Sequence, residues 1–76
     1  MHYHQQEIET DLARREASVY LTAICRRFQR IEEIIGYPQV FHAPSLAYKA
    51  FRLNRFADVR LIYRLVLAQH ADLVTA

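Results

Sequence analysis

Residues that break helices are nearly missing from this chain: it has one glycine, Gly36, and two prolines. A single glycine rules out the glycine-rich loops that cradle phosphates. The one cysteine, Cys25, permits no intrachain disulfide, and nothing points to a stapled, secreted scaffold. No charge-free apolar run approaches the roughly 20 residues that a membrane-spanning helix needs. The opening Met-His-Tyr-His lacks the basic and apolar regions of a signal peptide. A cytoplasmic protein with no membrane association is therefore the expectation.

What is present is oil and arginine. At 76 residues there is room for one domain with one small core, so such a chain is only marginally stable alone. An apolar share of 53% is high for so short a chain, and with so few breakers it fits an all-α helical bundle. Such a bundle would complete its burial by pairing with a second copy. The formal net charge of +2 permits an anionic partner without requiring one.

The chain is organised around one stripe. Ala17, Leu21, Ile24, Phe28, Ile31 and Ile35 alternate spacings of four and three and so share a helical face. Gly36 stands where a helix stop is expected, and Pro38 follows. Upstream, the pattern predicts helix from about Gln5, with Glu7, Glu9 and Asp11 at the positive end of its dipole. Such a helix is roughly 45 Å long at 1.5 Å per residue, so part of it should project beyond its own core. It carries a second apolar strip, Ile8, Leu12, Val19 and Ala23, turned well away from the first. Two apolar faces imply two neighbours: the rest of the chain, and a symmetry mate or a partner protein. The alternative is that the chain's own carboxyl end covers the amino-terminal half.

Residues 36–44 form the expected connection, a proline-containing aromatic loop. Tyr37, Phe41 and His42 either lid the core or stand out as an aromatic anchor. Ser45 is the expected N-cap of a short helix from about Leu46 to Leu53. A final long helix is expected from about Arg55 to Val74, with Phe56, Val59, Tyr63, Val66, His70 and Leu73 inward and Ile62 beside them. The apolar residues Leu46, Ala50, Phe51 and Leu53 are out of phase with that stripe, which places a bend near Asn54. An uninterrupted helix over 45–74, giving a two-helix hairpin, is the alternative. Leu61, Leu65 and Ala68 form a spare strip on the last helix. With Ile8, Leu12 and Val19, Leu61 and Leu65 are the expected dimer interface.

Chemistry has little to work with. Cys25 flanks the main stripe and is expected to pack as a small buried hydrophobe. His2 and His4 have no third ligand at metal spacing. Glu32 and Glu33 point about 100° apart on a helix and form no acid/base pair. His70 could serve as a pH-sensitive interface contact. No catalytic residue, metal or cofactor is expected.

The arginines say more. Asp11 with Arg15, Arg30 with Glu33 and Arg55 with Asp58 stand at pairing distance along a helix, whereas Arg26/Arg30 and Arg60/Arg64 are like-charged pairs. Arg26, Arg30, Arg60 and Arg64, with Tyr37 and Phe41 as anchors, are the expected contact residues for a larger partner with an acidic or apolar surface. The function this implies is a non-enzymatic, homodimeric adaptor, inhibitor or anti-activator acting by steric occlusion. The alternative is a small basic DNA- or RNA-binding regulator using a helix-turn-helix about Asn54. Against that alternative, the turn lacks glycine and the candidate reading face carries Leu61 and Leu65.

Overall fold

The computed structural model describes residues 2–36 and 42–75, with side chains over 10–36 and 42–69. The described residues form three helices: α1 (His2–Ile35), α2 (Ala43–Arg52) and α3 (Phe56–Thr75). No strand occurs among the described residues. None of the described helices is long and apolar enough to cross a membrane.

α1 begins slightly before the expected Gln5 and ends where the sequence predicts. Gly36 adopts φ 87°, a conformation that suits a residue without Cβ, and its N–H donates to the Glu32 carbonyl at 2.7 Å. α2 departs from expectation at both ends, running Ala43–Arg52 rather than from Leu46 to Leu53. Its N-cap is His42, not Ser45. The His42 Nδ1 accepts the Ser45 backbone N–H at 3.3 Å, and the Ser45 Oγ lies 2.6 Å from the same nitrogen. Pro44 falls inside the first turn, where no intrahelical hydrogen bond is lost by its missing N–H.

The bend at Asn54 is real, and the uninterrupted 45–74 helix is not formed. Asn54 has φ 59°. Its N–H donates to the Phe51 carbonyl at 3.0 Å, and the Arg55 N–H reaches back to the Ala50 carbonyl at 2.8 Å. Those two bonds are a Schellman closure with asparagine in the left-handed position. The next helix starts at once: the Arg55 carbonyl accepts the N–H groups of Asp58 and Val59.

Ring and charge contacts give the helix directions. Arg14, Glu16 and Tyr20 of α1 meet Phe56, Arg60 and Tyr63 of α3 in the same order, so α1 and α3 run parallel. α2 runs between them in the opposite sense, with His42 against Phe28 at one end and Phe51 against Phe56 at the other. Because α3 starts beside Ala13, the first turns of α1 extend past it. The molecule is accordingly elongated, 52 × 21 × 14 Å.

The core is small and its members follow the spacing rule. Ala17, Ile24, Phe28 and Ile31 come from α1, and Val59 and Val66 from α3. α2 contributes Ala43, Ala47 and Ala50, with Phe51 partly buried and Leu46 and Leu53 turned outward. An alanine stripe lets α2 approach its neighbours closely, leaving its bulkier side chains on the surface. Leu21, Ile35, Phe56, Ile62 and Tyr63 pack around this centre half-buried.

Candidate functional site

Among the described residues, two exposed apolar grooves lie one on either side of α3. The first lies between α1 and α3. Val19 and Ala23 form its apolar wall, Tyr63 its far side, and Arg26 and Arg27 its basic rim. The second lies between α2 and α3 and is lined by Leu46, Leu53, Leu61 and Ile62, with Lys49, Arg55 and Asp58 at the edges. A third, smaller recess lined by Glu16, Tyr20, Phe56 and Arg60 is spanned by the Glu16–Arg60 ion pair.

Among the described residues, the large side chains of the second apolar strips of α1 and α3 stay outside the core. Leu12 and Val19 are 58% and 67% exposed, and Leu61 and Leu65 are 55% and 48% exposed. The structure also separates them, with Val19 in the first groove and Leu61 in the second. The side chain of Ile8, and Tyr37 and Phe41 altogether, lie outside the described residues, as do the side chains of His2, His4 and His70.

The arginines divide. Arg26, Arg30 and Arg64 are exposed. Arg60, expected among the unneutralised arginines, instead meets Glu16 of α1 at 3.9 Å. That pair is about half exposed on both sides and contributes little to stability, though it occupies the guanidinium. Asp11 pairs with Arg14 at 3.4 Å rather than with Arg15, because a three-residue step suits this rotamer as well as a four-residue one. Arg55 and Asp58 stand 4.0 Å apart, as the spacing implied. Arg52 is drawn onto Tyr48, its guanidinium 5.9 Å from the ring centre and donating to the hydroxyl at 3.3 Å.

Cys25 is exposed, not buried on the flank of the stripe. Its position is one residue past Ile24, which turns it roughly 100° from the core direction. No group of three or more His, Cys, Asp or Glu side chains able to hold a metal occurs among the described residues. His42, whose side chain is described, is engaged with Ser45 and Phe28.

Sequence reasoning missed the α2/α3 groove as a unit. Its outward leucines became legible only once the alanines at 43, 47 and 50 were recognised as the inward face, and that four-then-three spacing was present in the sequence. Comparison with known proteins gives no match: no family model, no curated protein and no solved structure is significantly similar to this chain.

Proposed function

We propose that this is a non-enzymatic interaction protein that pairs with itself and regulates a larger protein by occupying part of its surface. The observation that carries the reading is the misfit between core and surface. The chain closes its interior with alanines, valines and a few large residues while six leucine and valine side chains, Leu12, Val19, Leu46, Leu53, Leu61 and Leu65, stay about half exposed or more. Contiguous exposed apolar surface rimmed by charge is the usual mark of a contact site.

In this reading the α2/α3 groove anchors the larger partner through Leu46, Leu53 and Leu61. The cations around it, with Arg64, orient an acidic target. Tyr37 and Phe41 enter as additional anchors on sequence grounds alone. Arg26, Arg30 and the α1 strip serve the second, self-pairing contact.

The test is capture from the native host by the immobilised full chain, with Leu53→Glu/Leu61→Glu alongside. One defined protein retained by the native chain and lost by the variant supports the proposal. Equal capture by both removes the groove from it. DNA or RNA retardation that weakens steeply as salt rises would replace the proposal with nucleic-acid binding.

A further inference from the structure

We infer that the groove between α1 and α3 binds a small phosphate monoester with an apolar body. Arg26 and Arg27 hold its phosphoryl group, and its apolar part lies along Val19 and Ala23 with Tyr63 opposite. The site is complete within one copy and goes beyond the function proposed above, with which it shares Val19 and Arg26.

Four-residue steps build the α1 wall as two neighbouring rows. Ser18, Thr22 and Arg26 form one, and Val19, Ala23 and Arg27 the other; all six line the groove. Both rows end in an arginine at the same end, so cations stand together there and apolar surface precedes them. From Val19 to Arg27 the helix rises roughly 12 Å, room for one ring or short chain plus a phosphoryl group. A net charge of only +2 gives a long polyanion little general attraction, so this short reach decides for a small ligand.

Charge names the ligand. Among the described residues no carboxylate lines this groove. The ion pairs formed there use Arg14, Arg55 and Arg60, not Arg26 or Arg27. Glu33, seven residues past Arg26, instead accepts from Gln29 at 3.5 Å. Arg27 is half-buried in the groove wall, where an anion meets it in a lower effective dielectric than open water. Two guanidinium groups match the dianion of a phosphate monoester, and their planar forks suit its oxygens. A carboxylate would neutralise only one of them. Thr22 spends its hydroxyl proton on the Ser18 carbonyl at 3.0 Å, which leaves the anion to the arginines. Val19 is 67% exposed beside half-buried Ala23. Covering that apolar wall favours an esterified phosphate over the free ion.

The experiment titrates phenyl phosphate into the purified full chain at about pH 7.5, where a phosphate monoester is a dianion, and follows amide and methyl NMR signals. Shifts should be confined to the α1 turns from Ser18 to Arg27 and the surroundings of Tyr63. Affinity should exceed that for inorganic phosphate, and that for phenol, by roughly tenfold. Arg26→Gln/Arg27→Gln should weaken binding by about tenfold or more at unchanged helicity, whereas Arg15→Gln, an equal loss of charge outside the groove, should change it by less than about twofold. Arg27→Met keeps the aliphatic stem and removes the charge; it should cost several-fold and carries the test if the double variant unfolds. No saturable binding at millimolar concentrations, shifts spread over α2, inorganic phosphate binding as tightly, or arginine variants that bind like the native chain each overturn the inference. Because Val19 and Arg26 also belong to the proposed self-pairing contact, the titration is run at two chain concentrations. Affinity that falls at the higher one supports the site in competition with pairing; affinity equal at both supports the site and counts against pairing through this strip.

Discussion

Two residues do jobs that their type performs less often than others. Asn54 holds the left-handed position that closes α2, at φ 59°. Asparagine tolerates this region better than most side chains, but glycine tolerates it best. Asn54→Gly should therefore be neutral or stabilising by a few tenths of a kcal/mol. Asn54→Val should lose about 1–2 kcal/mol, because a β-branched side chain is strained there. Urea denaturation midpoints of the three proteins check both signs. His42 is the second case: an imidazole nitrogen accepts the N–H that a serine or aspartate oxygen usually takes. The ring also stands edge-on to Phe28, with centroids 5.2 Å apart. His42→Ala should cost about 1 kcal/mol from the cap, and His42→Asn should recover most of it. If the Asn variant is no better than Ala, the ring contact with Phe28, and not the cap, is what His42 contributes. The stop at Asn54 was legible in the sequence as a bend, but the cap at His42 was not. Histidine ranks low as a cap and Ser45, a preferred type, stood three residues away.

At the scale of the helix, legibility followed side-chain size. The α1 stripe was plain because Ile24, Phe28 and Ile31 are large, and all three are buried as their spacing implied. On α3, Val59 and Val66 behaved likewise, with Tyr63 half-buried against Tyr20 at 4.9 Å. On α2 the large residues Leu46 and Leu53 located the bend but not the buried face, because a helix pressed tightly between two others buries its smallest face. That geometry makes α2 sensitive to enlargement. Ala47 is fully buried, so Ala47→Leu should destabilise by about 1–3 kcal/mol through overpacking, measured by thermal or urea unfolding. Phe28→Ala should be worse, about 3–5 kcal/mol from lost burial and the cavity left behind. A domain of this size has total stability of only about 4–11 kcal/mol, so Phe28→Ala should leave a large unfolded fraction at modest warmth.

For the whole molecule, the question is what the outward leucines of the α2/α3 groove are for, and stability and binding answer it differently. Leu53 and Leu61 are 59% and 55% exposed, so their replacement removes little buried surface. Lys49 and Arg55 stand at the groove edge, where a new carboxylate would be met by opposite charge. Leu53→Glu/Leu61→Glu should accordingly shift unfolding stability by no more than about 0.5 kcal/mol per site, as surface substitutions do. The same double change should abolish capture of the larger partner, because a desolvated carboxylate in an apolar contact is strongly unfavourable. A loss of 2 kcal/mol or more on unfolding, the range of buried leucines, would instead make these side chains part of the domain's own core. Stability unchanged and capture lost is the pattern that only an external contact produces, since a core residue cannot lose its partner without the fold registering it.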